Sequence, residues 1–453
     1  MLTLINYQTE PNLSIKIKNA FNEVKNVLFL WEESAHGVPL HSDIVTITDG
    51  VTCHSSINKS ISFFAGGVTF KIVDIKTYEI LFSYKIENLS FIKGKKILYV
   101  SPNGYTGYSS AARNCVYQLL TNGYEVQWNT NICGGGYIPC NIYEEMACNC
   151  QNNKIEHDCV IIHTIPQDYE RIFKELQLNK SKPIYGSTVW ETTKLPPAWV
   201  ELINRYTTDV ISPSSFNKQT FAYSGIRKPI HLWKYDIFPI DHVKLDYTIA
   251  SKFVIRTRGS YQYNTELIQN TLKENTVYYN ISQYSSRKNV DQAVKTFCNK
   301  FTNKDSVCLL LKLFFKSFAN TEKEIIKYKI NELVNSYENH PPIILCLENL
   351  NTDELNVIHK LSDVYFTLNR GEGFGLCSYT AKKFGNKVIC GDFGSEKEFL
   401  DGNDILIPYK LEKPHGMINF HDYYDSEGQL WATFNNDDVI SRLKYFKKKI
   451  DNV

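Results

Sequence analysis

Between residues 361 and 385 the chain runs from Leu361-Ser362-Asp363-Val364-Tyr365-Phe366-Thr367-Leu368 through Asn369-Arg370-Gly371-Glu372-Gly373-Phe374-Gly375-Leu376 into Tyr379-Thr380-Ala381-Lys382-Lys383-Phe384 and Gly385. The first run reads as a buried strand and the last as a helix closed by Gly385, with three glycines and one carboxylate set in the turn between them. A strand, a glycine turn and a helix form one half of a parallel unit. Glycine lets the main chain approach a ligand closely or take positive φ, and the uncapped N–H groups at a helix start favour negative charge. A diphosphate suits that end of the turn.

The same alternation extends over most of the chain. Strands are predicted at Lys96–Val100, Glu125–Trp128, Asp158–His163, Pro183–Val189 and Asp209–Ser212, with helices at Ser109–Leu120 and Phe216–Tyr223, the latter ended by Gly225. A second series starts at Thr276–Ile281 and continues at Ser306–Leu311, Pro342–Leu347, Asp363–Leu368 and Lys387–Cys390. Strand alternating with helix predicts parallel sheets, so the fold class is α/β. The stretch Asp236–Asn275 has weak periodicity and takes the hinge between the two series. Before residue 93 the pattern differs: Ser60–Phe64, Val68–Val73 and Glu79–Tyr84 read as short strands joined by Gly66-Gly67 and a polar turn. The predicted organisation is a β-rich appendage over 1–92, an α/β domain over 93–245 and a second over 246–453. Two such domains leave a cleft lined by loops at the carboxyl ends of both sheets, where a ligand is expected.

Composition narrows the class of partner. With 453 residues, 43% hydrophobic and 22% charged, the chain has enough apolar residues for more than one core. A formal net charge of +2 sets up no field for nucleic acid, and no basic run is interleaved with stacking aromatics. The first ten residues lack a basic region, an apolar core and a small-residue cleavage site, and the apolar run Val307–Phe315 is broken by Lys312. A soluble, cytoplasmic protein is expected. The basic stretch Arg442–Lys449 reads as a solvated last helix more readily than as a membrane-contacting patch. Twelve cysteines without a secretion signal are read as reduced thiols. Cys133, Cys140, Cys148, Cys150 and Cys159 crowd near His157 but contain no Cys-x-x-Cys pair, so no metal site is assigned.

Several motifs resemble those of one family. Arg370-Gly371-Glu372-Gly373-Phe374-Gly375-Leu376 is similar to the glycine-glutamate signature of the group 1, or family 4-like, retaining glycosyltransferases of the GT-B type, and Val388–Phe399 resembles the strand and loop that follow it. Ser282–Asn289 resembles that family's segment with a phosphate-binding lysine, and Trp190-Glu191, Leu195–Trp199 and Ile211–Phe216 resemble its acceptor-side segments. The resemblance spans roughly Lys95–Lys447 and implies two Rossmann-like domains facing a cleft. It also implies transfer of a sugar from a UDP-sugar or GDP-sugar to a glycan, lipid-linked or protein acceptor, with no cofactor beyond the nucleotide sugar.

Carried over residue by residue, Lys288 meets the leaving diphosphate and Glu372 accepts hydrogen bonds from the donor sugar. Arg287, Gly371, Gly373 and the amides near Phe374, Gly375 and Leu376 surround the phosphates. Gly104 and Gly107 follow the first strand like the family's glycine loop, and His163 resembles a histidine near the transferred sugar. Two positions depart from the pattern. Thr380 stands where the family has a second, ribose-holding glutamate, and Gln283 stands where it commonly has an arginine. Those departures leave open a rival reading as a catalytically weak nucleotide- or sugar-binding module on the same fold. No Asp-x-Asp pair occurs, in keeping with metal-independent transfer. A glycoside hydrolase lacks its opposed carboxylate pair here, and a dehydrogenase lacks Gly-x-Gly-x-x-Gly after the first strand.

Overall fold

The computed structural model describes residues 2–8, 13–19, 25–33, 38–47, 52–57, 68–74, 80–86, 89–134, 136–257, 259–417, 421–424 and 427–448. They fall into two compact units, one of Met1–Lys95 with Thr121–Tyr124 and one of Lys96–Leu120 with Glu125–Val453.

The smaller unit is built from antiparallel strands. β1 (Leu2–Gln8), β2 (Leu13–Asn19) and β5 (Thr52–Ile57) pair in the order β1-β2-β5, while β3 (Lys25–Glu33), β4 (Val38–Ile47), β6 (Val68–Asp74) and β7 (Ile80–Ile86) pair as β4-β3-β6-β7. Between β3 and β6 the register sets Phe29 opposite Ile72 and Trp31 opposite Phe70, and all four are buried on one face. Such directly opposed apolar pairs are the unit of sheet stability. Pro39 lies in the edge strand β4 beside a register shift, a place where strands tolerate proline. The expected strands near Val68–Val73 and Glu79–Tyr84 are β6 and β7. The expected strand Ser60–Phe64 and the Gly66-Gly67 turn lie outside the described residues. The strands before residue 58 lie within the β-rich stretch but go beyond the three strands expected there: Leu13–Lys18 alternates apolar and polar residues, whereas Thr52–Ile57 is mostly polar and carries little strand signal.

The larger unit holds two sheets of the α/β class. The first contains β8 (Lys96–Val100), β9 (Glu125–Asn129), β10 (Cys159–His163), β11 (Ile184–Ser187), β12 (Asp209–Ser212) and β13 (Ile230–Leu232) in the order β13-β12-β11-β10-β8-β9. All neighbours are parallel, and the order reverses between β8 and β10. The second contains β14 (Phe253–Arg256), β15 (Thr276–Gln283), β16 (Val307–Phe314), β17 (Ile343–Cys346), β18 (Val364–Phe366), β19 (Lys387–Gly391) and β20 (Ile405–Ile407) in the order β14-β17-β16-β15-β18-β19-β20. Counted from β15, its six parallel strands follow the doubly wound order 3-2-1-4-5-6, with the reversal between β15 and β18. A ligand crevice is expected outside the carboxyl ends at each reversal.

Both faces of the second sheet are buried, which explains its nearly continuous apolar strands. Along β16, Leu309, Leu311 and Leu313 pack into one core and Cys308 and Leu310 into the other. Burying each leucine contributes about 1.5–3 kcal/mol. Inside the predicted hinge the structure has β14, a four-residue edge strand that pairs antiparallel with β17, Phe253 opposite Cys346. The helix Thr265–Glu274 in the same stretch is capped by the Asn264 side chain. The later part of the chain also returns to the first sheet, for Tyr424, with Met417 and Tyr423, packs on the core that contains Trp190 and Trp199.

Candidate functional site at the second strand-order reversal

The loop after β15 and the turn after β18 leave neighbouring strands at the reversal, so their side chains converge. There the Lys288 ammonium bonds Oε1 of Glu372, and the same oxygen lies 3.2 Å from Nη1 of Arg287. Arg287 also donates to the Gly371 carbonyl at 2.8 Å, and its Nη2 is 3.5 Å from Oε1 of Glu191, which follows the first sheet's β11. Tyr424 donates to the other Glu191 oxygen at 3.1 Å. Two cations and two carboxylates therefore alternate across the ends of both sheets. Burial opposes ionisation of Glu372, but Lys288 and Arg287 outweigh it and hold the carboxyl below its ordinary value. Burial likewise opposes the Arg287 charge, and Glu191 and Glu372 overcome it and raise its pKa.

Close packing of the two sheets' loops accounts for glycines in this turn. A Cβ on Gly371 would fall 1.9 Å from the Glu191 carbonyl oxygen, and one on Gly373 would meet Val189 at 2.7 Å and Asn217 at 2.9 Å. The main chain at these positions thus abuts protein from the first sheet. Ser214 donates to the Gly373 carbonyl at 2.6 Å, and Glu398 accepts from the amides of Ser215 and Phe216 at 2.9 and 2.8 Å, capping the helix Ser215–Ser224 from across the cleft. Gly375 has φ of 79° and directly precedes the helix Leu376–Lys383, which starts three residues before the expected Tyr379 and has no side-chain cap. The amides at Leu376 thereby keep the exposed-donor character that suits an anion.

The remaining expected residues are placed as follows. Phe374 is buried among Tyr235, Tyr379 and Phe399, with ring centroids 5.2–5.7 Å away. Tyr235 also bonds Nε2 of His163 at 2.9 Å, while Tyr99 bonds its Nδ1 at 2.6 Å. Both imidazole nitrogens are thus engaged, and burial pushes the His163 pKa down to about 3. Gly104 and Gly107 lie at the first sheet's reversal. The Gly104 carbonyl accepts from Arg113 at 2.8 Å, and a Cβ on Gly107 would meet nothing within 4 Å. Thr380 donates back to the Leu376 carbonyl at 2.8 Å, the usual fate of a threonine within a helix. The Gln283 amide donates to the Phe315 carbonyl at 2.6 Å.

Three carboxylates of this region escaped the sequence reading. Glu191 and Glu398 lie in segments that resemble the family's but carry no motif spacing of their own. Glu396 is 1% exposed and lies behind the Gly375 turn, where its oxygens meet the Ser378 hydroxyl and the Asn369 amide. Burial, followed by the nearby charge of Glu372, raises its pKa to about 7. A cavity of about 710 Å³ opens on the other side of the Ser285–Asn289 loop, lined by Gln283, Ser286, Lys295, Lys316 and Arg370, without Lys288 or Glu372.

In the cysteine-rich stretch, Cys140 bonds the buried Glu144, and Cys148 accepts from Asn103. Among the described residues no cluster of three or more histidine, cysteine, aspartate or glutamate side chains is placed to hold a metal ion, and no helix is long and apolar enough to cross a membrane.

Fold and site together define a chain with two Rossmann-like sheets in which the loops after β11 and β12 of the first meet the Glu372 turn of the second. No family model matches the chain, and no curated protein matches its sequence. Among solved structures it is similar to Anabaena HepE in complex with UDP-glucose, at 14% identity over 69% of this chain and 85% of that one, with a TM-score of 0.48. It is also similar to HepE with UDP and glucose, at 14% identity over 70% and 86% of the two chains and a TM-score of 0.49. A third is trehalose-6-phosphate from E. coli bound with UDP-2-fluoro glucose, at 10% identity over 66% and 85% and a TM-score of 0.44.

Proposed function

We propose that this chain is a glycosyltransferase that moves a sugar from a nucleotide-diphosphate sugar to an acceptor hydroxyl with retention of anomeric configuration and without a metal ion. The observation that carries the reading is the Lys288–Glu372–Arg287 cluster at the reversal of a 3-2-1-4-5-6 sheet, faced by Glu191 from the other sheet. The Glu372 carboxylate is the counter-ion of two cations that a diphosphate would also engage. Arrival of the donor moves Lys288 onto the diphosphate and frees Glu372 to accept hydrogen bonds from sugar hydroxyls. The bond between the anomeric carbon and the diphosphate oxygen then breaks as the acceptor oxygen attacks from the same face. The acceptor proton passes to the departing phosphate oxygen, whose charge Lys288 and the Leu376 amide stabilise. Glu191 and the Gly104–Gly107 loop present the acceptor side, which takes a glycan, a lipid-linked sugar or a protein.

The test is incubation with a panel of UDP- and GDP-sugars, with released nucleotide measured. The wild type turns over at least one, and Lys288→Ala and Glu372→Ala each lower the rate by on the order of a hundredfold while keeping the fold. Normal turnover by both variants overturns the assignment. A second reading, a nucleotide- or sugar-binding module with weak turnover, is favoured by the Thr380 and Gln283 side chains, which are spent on backbone carbonyls. It predicts binding without nucleotide release.

A further inference from the structure

One buried carboxyl ties together both ends of the turn that carries Glu372. Oε2 of Glu396 accepts from the Asn369 amide at 3.1 Å, at the exit of β18, and Oε1 bonds the Ser378 hydroxyl in the first turn of the following helix. Its Cγ would lie 2.5 Å from a Cβ placed on Gly375, so the side chain fills the inside of the turn. Glu396 is 1% exposed and makes no ion pair among the described residues, which is unusual for a glutamate so deeply buried. The titratable groups around it are Glu372 from the turn, Lys288 from the loop after β15, Cys377 from the helix, Tyr365 from β18 and Cys390 from β19.

We propose that Glu396 is a positioning residue for the donor site: it clamps the Glu372 turn at both ends and, by gaining or losing a proton, sets how firmly Lys288 is held away from an incoming diphosphate. Neutral Glu396 leaves Glu372 as the single negative charge competing for Lys288. Ionised Glu396 puts a second carboxylate on the same side of that ammonium, which strengthens its hold and opposes an anionic ligand. Burial and Glu372 place the change near neutral pH. The proposal rests on the nucleotide-sugar reading above and concerns affinity for the nucleotide portion of the donor.

Calorimetric titration of the full chain with UDP and with GDP, at about pH 6 and about pH 8, tests it. In the wild type the affinity for the better of the two nucleotides falls on the order of fivefold from the lower to the higher pH. Glu396→Gln, which keeps a hydrogen bond to each partner but cannot ionise, shows no such fall, and the nucleotide's own terminal phosphate ionises alike with both proteins. Glu396→Ala releases the clamp and binds at least about tenfold more weakly at both pH values. Persistence of the wild-type pH dependence in Glu396→Gln, or wild-type affinity in a folded Glu396→Ala, overturns the proposal and leaves the nucleotide-sugar reading standing. If neither nucleotide binds the wild type, both fall. Thermal unfolding of ligand-free wild type and Glu396→Gln across the same pH range reads the titration of Glu396 without any nucleotide.

Discussion

The hydroxyl of Ser214 donates a 2.6 Å hydrogen bond to the carbonyl of Gly373, joining a helix start after β12 of the first sheet to the turn after β18 of the second. The same hydroxyl accepts from the Asn217 amide at 3.1 Å, so one side chain both caps the helix and fixes the position of the Glu372 turn. The cleft residues of the two sheets are thus in contact through backbone as well as charge. If the chain is the transferase proposed above, these contacts hold its two substrate-binding sides at a fixed separation, as a closed site that excludes water requires.

Ser214→Ala removes the cap and the bond to Gly373 together. Loss of an N-cap costs about 1 kcal/mol, and an unmade buried bond to a carbonyl adds about 1 kcal/mol. A loss of about 2 kcal/mol in urea denaturation is expected, and a change within error shows that the contact is not made in solution.

Gly371→Ala is expected to be far more damaging to activity than its size suggests. The added Cβ meets the Glu191 carbonyl, which is main chain and cannot rotate away, so the segment bearing Glu191 is pushed off Arg287. Nucleotide release falls at least about tenfold, since small misplacements at a reacting site are costly. Gly402→Ala, where a Cβ meets nothing within 4 Å, serves as the control and retains full activity.

Stability should respond to pH through two glutamates of opposite sign. The folded pKa of Glu396 is raised from 4.5 to about 7, so its stabilising contribution is complete below the unfolded value and is lost as pH rises through the folded one. The folded pKa of Glu372 is lowered, so its contribution is present above 4.5 and is lost as pH falls through the folded value. Thermal melts of Glu396→Gln therefore lack the decline between about pH 4.5 and pH 7 that the wild type shows. An identical decline in both proteins refutes the Glu396 assignment.

His163 is held neutral by burial, with its pKa near 3 and both nitrogens bonded to tyrosines. A depressed histidine stabilises the fold above its unfolded value near 6.5, and that contribution is lost as pH falls toward 3. His163→Phe leaves the Tyr99 and Tyr235 hydroxyls without their acceptor or donor and costs about 2–3 kcal/mol in denaturant. A variant of unchanged stability shows that these bonds do not form.

Much of the second sheet is legible in the sequence because its strands are buried on both faces. Ser306–Leu311 and Lys387–Cys390 read as apolar runs with turn signals at their ends, and the structure forms these strands over Val307–Phe314 and Lys387–Gly391. β14 is not legible, since the four residues Phe253–Arg256, between Lys252 and Thr257, are too few to show a period, and they form a strand by pairing with β17. The Glu372 turn is recognisable from its glycines, but the reason for two of them is not. Gly371 and Gly373 are small because protein from the first sheet presses on them, a contact between segments about 180 residues apart that no local pattern encodes. Nor does sequence reveal that Thr380 and Gln283 are turned toward backbone carbonyls, or that Glu396 lies beneath the turn while Glu398, two residues on, reaches the other sheet.

Calorimetric titration of UDP and GDP into the wild type and Lys288→Ala addresses the account most directly. If Lys288 exchanges Glu372 for a diphosphate, the wild type binds at least one of the two nucleotides and Lys288→Ala binds it on the order of tenfold to a hundredfold more weakly, with a smaller dependence on salt. Equal affinity and equal salt dependence in the two proteins would show that no diphosphate rests on Lys288.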